Sequence, residues 1–131
     1  MADYSKLLEP VKVGKHIWRN RIVMPACETR LSNPDGSSSR EMADYYGERA
    51  KRGAAAVIVE NTFVDDKESR SSLVSSGIYN DHMIASHFYV AEAIKAGGAS
   101  AILQLSHGGR QAAAGATGLQ PVAPSAVTCK F

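Results

Sequence analysis

Gln104, His107 and Arg110 are the residues of this 131-residue chain most readily assigned to chemistry. They fall in Ser100–Arg110, read as Ser-Ala-Ile-Leu-Gln-Leu-Ser-His-Gly-Gly-Arg. Gln104 is the one polar residue inside an apolar run (Ala101, Ile102, Leu103, Leu105) bounded by Gly97-Gly98 and Gly108-Gly109. Such a run predicts a strand buried on both faces. A buried amide left without a partner costs roughly 1–3 kcal/mol, so Gln104 is either bonded to backbone or held for a ligand. It ends its strand just before the glycine-rich turn that carries His107 and Arg110, the place where parallel α/β proteins set their sites. Gly108 and Gly109 predict close approach of the backbone to a planar or anionic ligand. Neither the GxGxxG nor the P-loop spacing is present, so a nucleotide phosphate site at this turn is not supported.

Two further strand ends carry reactive types. Pro25-Ala26-Cys27 closes an earlier short strand. Its backbone and thiol either face a bound ring or form a small buried apolar unit. No neighbouring histidine marks Cys27 as a nucleophile, and the second reading is the simpler one. Glu60-Asn61-Thr62 closes another strand, where Glu60 is a general base or the partner of an arginine. His82 and His87 are five apart, so a helix separates them by about 140° and they cannot share a metal. They read as solvent-facing or helix-end residues, His16 is a lone hairpin residue, and no metal site is expected.

The elements that position these residues can be read from periodicity. Val11, Val13, Ile17 and Trp18 flank Gly14-Lys15 as a hairpin, suited to cap the bottom of a larger fold. Arg21–Pro25 is a β-branched strand stopped by proline. After the turn Asn33-Pro34-Asp35-Gly36, Ser38 and Glu41 form a capping box. The helix they open carries Met42, Tyr45 or Tyr46, Arg49 and Ala50 at helical spacing, with Gly53 as its C′ residue. Ala54–Glu60 is a continuous apolar strand. Val64–Ser76 reads as a solvated serine-rich loop, and Asn80 or Asp81 caps a second helix with Ile84, Phe88, Ala91 and Ile94 as its apolar stripe. Strand, helix, strand, helix, strand argues a parallel sheet with right-handed crossovers. Beyond Arg110 no further strand or helix is read.

Composition narrows the class. The chain is 44% hydrophobic and 21% charged with net charge +2, as expected of one globular domain. Lysines and arginines form no basic stripe, which argues against nucleic acid. No apolar run approaches the ~20 residues of a membrane span, and the N-terminus lacks a signal-peptide pattern. Cys27 and Cys129, far apart and outside any CxxC, fit reduced thiols in a cytoplasmic protein.

Six segments then resemble the Old Yellow Enzyme family of FMN-dependent ene-reductases and NADH:flavin oxidoreductases. They are Leu8-Glu9-Pro10, Asn20–Pro25, Val59-Glu60-Asn61, Gly77–Asp81, Gln104–Arg110 and Pro121–Ser125, in family order over nearly the whole chain. The resemblance implies a (β/α)8 TIM barrel, of which residues 1–131 would be the N-terminal part of a single FMN-binding domain. Residues 1–20 would be the hairpin, 21–110 three strands with two helices, and 111–131 a loop: an incomplete barrel. It implies flavin contacts from Met24, Pro25, Ala26, Cys27, Asn61 and Gln104, with the Gln104 amide on the flavin's pyrimidine edge. Cys27 matches a thiol that tunes flavin potential in one branch. Thr29 stands where that branch has a substrate-touching tyrosine, and Asn61 where relatives have a small residue. Thr29 and His107 are the candidate substrate contacts.

The implied activity is hydride transfer from NAD(P)H via FMN to an activated alkene: an enal, enone, enoate or dienoyl thioester. A full barrel takes ~250 residues. The family's substrate-holding and proton-donating groups are expected beyond residue 131, so no catalytic residue is assigned within this chain and it is expected to be inactive alone. Exposing ~400 Å² of apolar surface costs about 10 kcal/mol at ~25 cal/mol per Å², comparable with a domain's whole stability. Association through open barrel edges, as a homo-oligomer or with a missing piece, is therefore expected. The alternative is a non-catalytic truncated chain that serves only in assembly and binds no flavin. A dihydroorotate dehydrogenase-like barrel is a weaker third reading, because those lack the QLxHxGR-type turn.

Overall fold

The computed structural model describes residues 3–130. Met1, Ala2 and Phe131, the ends of the predicted hairpin and loop segments, lie outside them. The order is α1 (Ser5–Leu8), β1 (Val11–Val13), β2 (His16–Trp18), β3 (Val23–Met24), α2 (Arg40–Lys51), β4 (Ala56–Phe63), α3 (Ile84–Ala96), β5 (Ser100–Ser106) and α4 (Ala114–Thr117). β1 and β2 form the predicted hairpin, Val11 opposite Trp18 and Val13 opposite His16, with Gly14 at φ +58° in the turn. β3, β4 and β5 form a parallel three-stranded sheet in that order. The single turns of helix α1 and α4, too short to show periodicity, were not readable from sequence.

α2 starts one residue later than the capping box predicts. The Ser39 hydroxyl, not that of Ser38, accepts the Met42 N–H at 3.0 Å. Ser38 is engaged by α3 instead, its N–H donating to Ser86 Oγ at 3.1 Å and its hydroxyl meeting His87 Nδ1 at 3.3 Å. The helix ends as expected at Gly53, φ +118°. The Gly53 N–H reaches Ala50 O at 3.1 Å and the Ala54 N–H reaches Arg49 O at 3.4 Å, which is a Schellman closure.

The core lies between the two long helices and one face of the sheet. Met42, Tyr46, Ala50, Val57, Val59, Val90 and Ile94 are buried there, and Ala101 and Leu103 pack against them. Three expectations about burial are corrected. In α3 the buried residues are Val90 and Ile94, preceded by Met83, whereas Ile84 and Phe88 are exposed. A helix of a β/α layer has neighbours on both flanks, and among the described residues α3 has α2 on one flank only. β5 is not buried on both faces: Ile102, Gln104 and Leu105 are exposed, because among the described residues no layer covers the face opposite the core and no strand flanks β5 on its outer edge. Ser69, Ser75 and Ser76, assigned to a solvated loop, are buried. Ser75 Oγ donates to Ser72 O at 2.9 Å and Thr62 Oγ1 to Ser76 Oγ at 3.2 Å, and a hydroxyl satisfied locally buries at little cost.

The hairpin side is tied to the helix ends by Arg19 and Asn20, to which the sequence reading gave no structural role. The Arg19 guanidinium donates to Ala50 O, to Ala54 O at 2.8 Å and to Gly97 O at 3.1 Å. Asn20 Nδ2 donates to Gly53 O at 2.7 Å, and its Oδ1 accepts the Ile22 N–H at 2.9 Å. Both residues thus close the C-termini of α2 and α3, where carbonyls lack helical partners. This is the end of the sheet opposite Gln104.

Candidate functional site

Strand alternation decides which side chains reach the open face of the sheet. Val59 and Leu103 are register partners, and both belong to the core side. The next pair is Asn61 with Gln104, because β4 carries one extra residue between Val59 and Asn61. That residue is Glu60, a β-bulge that re-aims the side chains beyond it. Because the bulge absorbs Glu60, Asn61, two residues after Val59, joins Gln104 on the face opposite the core and does not return to the core side as strict alternation would place it. Ile58 and Ile102 are paired on that same face nearer the strand starts.

Gln104 is exposed, not buried as its apolar run suggested, and its carboxamide makes no hydrogen bond among the described residues. Neither a backbone partner nor burial explains it; it is free at the rim. Asn61 is half-buried, its Nδ2 donating to Ser71 Oγ at 3.4 Å. Met24 ends β3 beside Val57 and packs against the core, so its backbone rather than its side chain is available at the rim. Pro25 and Cys27 are exposed and Ala26 is half-buried, which corrects the reading of Cys27 as a small buried apolar residue. His107 is exposed, and its Nδ1 accepts the Gly109 N–H at 3.0 Å, a bond within its own turn. Gly108 makes a contact of its own. Its N–H donates to Ser69 O at 2.9 Å, and a Cβ there would stand 2.8 Å from that oxygen. The close approach that glycine permits at this position is to the neighbouring loop.

Glu60 is neither at the rim nor paired with an arginine. It is fully buried, and its Oε2 accepts the Thr29 N–H at 2.6 Å and the Tyr46 hydroxyl at 3.1 Å. Tyr46 Oη in turn accepts the Glu60 N–H at 3.0 Å. Burial first, and the nearby Glu60 charge after it, push the Tyr46 hydroxyl well above the ordinary tyrosine range. Thr29 therefore enters the site through its backbone, while its hydroxyl accepts the Leu31 N–H at 3.2 Å. The sequence signal for Tyr46 was its place with Met42 and Ala50 on one helix face. His87, read as solvent-facing or helix-end, lies in the first turn of α3 and is half-buried, with Nε2 at 2.8 Å from Gly77 O.

A separate cleft of 620 Å³ lies within the C-terminal loop, lined by Arg110, Val122, Ser125 and Cys129 among others, and includes none of Cys27, Asn61 and Gln104. No group of three or more potential metal ligands occurs among the described residues, and none of their helices is long and apolar enough to cross a membrane.

A parallel βαβαβ unit with polar groups gathered at the C-terminal strand ends is a segment of a parallel α/β fold, the class that sets its sites at those ends. The chain belongs to the NADH:flavin oxidoreductase / NADH oxidase family, whose model matches residues 6–130. It is 41% identical to an NADH oxidase of Thermoanaerobacter brockii, over 100% of this chain and 20% of that protein. It is 34% identical to an NADPH dehydrogenase of Listeria welshimeri, over 94% of this chain and 36% of that one. The Old Yellow Enzyme homologue of Zymomonas mobilis superposes with a TM-score of 0.85 at 30% identity, over 93% of this chain and 34% of the other. The chain thus spans a fifth to about a third of these relatives. Its fold is the opening three strands, with their helices, of the Old Yellow Enzyme TIM barrel, and the barrel is not closed.

Proposed function

We propose that residues 1–131 are the N-terminal part of one FMN-binding (β/α)8 domain, in an enzyme that uses NAD(P)H to reduce an activated alkene. The observation that carries this reading is the Asn61–Gln104 register pair, with an unbonded carboxamide standing at the strand rim. An exposed amide with both donor and acceptor free fits the imide edge of an isoalloxazine, which offers the complementary pattern. Met24, Pro25 and Ala26 offer backbone to the ring, Cys27 its thiol and Asn61 its amide edge, while Thr29 and His107 stand on the substrate side. FMN, when bound, supplies the hydride transfer; the chain's part is to orient the ring and exclude water from it.

The groups that hold the substrate, donate the proton and bind the flavin phosphate are assigned to the remaining strands of the barrel, so this segment alone is inactive. The working location is the cytoplasm, the substrate is a small molecule, and neither nucleic acid nor membrane is involved. Exposed Ile102, Leu105 and Phe88 favour a second reading for the segment by itself, an assembly piece without flavin.

The test is flavin content. The complete barrel protein is expected to purify with a flavin absorption band, and Gln104→Ala to lower its flavin occupancy. Unchanged occupancy would remove Gln104 from the site, and a colourless complete protein that does not take up added FMN would overturn the flavin reading.

A further inference from the structure

Three observations converge on the segment between β3 and α2. Arg30 is the one non-glycine residue among those described with positive φ, at +60°, a left-handed conformation that persists only where its surroundings enforce it. The preceding N–H, that of Thr29, is bound by Glu60 Oε2 at 2.6 Å. Glu60 is fully buried, yet its Oε1 has no hydrogen-bond partner among the described residues. A carboxylate removed from water with one oxygen unsatisfied is a costly way to fill space, and the bulge in β4 exists at this residue.

We propose that Glu60 is a positioning residue: braced by Tyr46, it holds the Thr29 N–H and so fixes the height of Pro25–Cys27 above the strand rim. The proposal rests on the flavin reading for what that height serves. The chain of contacts runs from α2 through the Tyr46 hydroxyl to Glu60 Oε2, and from there to the Thr29 backbone. Its ends are a packed helix and the segment that carries the exposed Cys27 thiol. Oε2 accepts from both donors at once, which an apolar side chain of similar size does not do. An amide oxygen in the same place accepts both as well. Its nitrogen would then occupy the position of Oε1, exchanging one unsatisfied group for another.

The experiment compares Glu60→Gln, Glu60→Ala and Tyr46→Phe in a Cys129→Ser background of the complete protein. Amide hydrogen exchange at Thr29 reads the clamp whether or not flavin is bound. Loss of one buried hydrogen bond corresponds to about tenfold faster exchange, expected for Glu60→Ala, with Glu60→Gln within about threefold of the parent and Tyr46→Phe between them. The flavin absorption maximum, the midpoint potential and the protection of Cys27 from iodoacetamide read the positioning. Glu60→Ala is expected to shift the band and the potential and to speed alkylation, and Glu60→Gln to restore all three. If Glu60→Ala retains flavin with band, potential and alkylation rate unchanged, the positioning role is overturned while the flavin reading stands. If Glu60→Ala does not fold, Tyr46→Phe decides by the same readouts, and parental values for it overturn the role. If the parent holds no flavin, the flavin reading fails. The clamp is then judged by Thr29 exchange alone, and equal rates in the Ala and Gln variants sink it.

Discussion

Tyr46 and Glu60, fourteen residues apart, hold each other by two hydrogen bonds: the tyrosine oxygen takes the Glu60 N–H at 3.0 Å and gives its own proton to Glu60 Oε2 at 3.1 Å. One side chain thereby joins α2 to the backbone of β4 at its bulge. The arrangement requires a neutral phenol. A phenolate would be stripped of solvent and set against a carboxylate.

Stability should therefore decline at alkaline pH. The Tyr46 pKa is raised in the folded protein from its ordinary value of 10.0. Above about pH 10 the unfolded chain has released this proton while the native state retains it, so the native state binds more protons and unfolding is favoured as pH rises. Urea midpoints between pH 8 and 11, at fixed protein concentration, should fall, and Tyr46→Phe should lose part of that slope. At neutral pH the same substitution should cost about 1–2 kcal/mol for the lost bonds. An identical alkaline slope in the variant would remove Tyr46 as its cause.

Arg19 secures the opposite end of the unit. Its guanidinium serves Ala50 O, Ala54 O and Gly97 O, which belong to the C-terminal ends of two helices. A cation at that position is favoured by the helix dipoles as well as by the bonds. Arg19→Ala should lower stability by about 2 kcal/mol, and Arg19→Lys should recover only a part, because an ammonium does not span the carbonyls as a planar fork does. A urea midpoint unchanged in Arg19→Ala would show that these bonds contribute nothing net.

Gly97 sets how closely the two helices approach. A Cβ there would lie 2.6 Å from Ala50 Cβ and 2.8 Å from the Lys51 nitrogen. Backbone does not move aside cheaply, so Gly97→Ala should cost about 1–3 kcal/mol. At Gly47 the nearest atom to an added Cβ is Ala93 Cβ at 3.3 Å. There the strain is small and the gain in helix propensity, up to about 1 kcal/mol, offsets it, so Gly47→Ala should be near neutral. Thermal melts of the two variants side by side check the contrast; equal effects would contradict it.

The 131-residue chain by itself should associate. Phe88 is 57% exposed, Tyr89 70% and Leu105 62%, and β3 and β5 each present an unpaired edge among the described residues. Light scattering should report oligomers or aggregates, reduced by Leu105→Lys on the β5 edge. A monomer with a cooperative melt would contradict this.

The order of elements was legible because Ala54–Val59 and Ala101–Leu105 are apolar with little interruption and the glycines at 53, 97 and 98 punctuate the helices. The gathering of the candidate residues at one end was legible in part. Cys27, Asn61 and Gln104 do lie toward one end of one sheet, since parallel strands in register bring their ends together. Three things were not readable. Burial of β5 and of α3's Ile84–Phe88 side depends on neighbours that local periodicity does not reveal. The buried serines depend on hydroxyl bonds, Ser69 and Ser75 within their own loop and Ser76 with Thr62 of β4. The role of Glu60 depends on an unpaired residue in β4, and pattern reading at period two has no means of noticing an insertion until a partner strand is laid beside it.

That surplus residue has a consequence for anyone who redesigns the strand. β4 runs eight residues against the seven of β5, so positions counted up from the strand starts fall out of step by one at the top. Excising Glu60 would bring the two strands back into step and leave Asn61 following Val59 onto the face of Gln104, but it would remove the buried carboxylate that holds the Thr29 N–H. The side chain of the bulged residue, more than the length of the strand, is the quantity to preserve there.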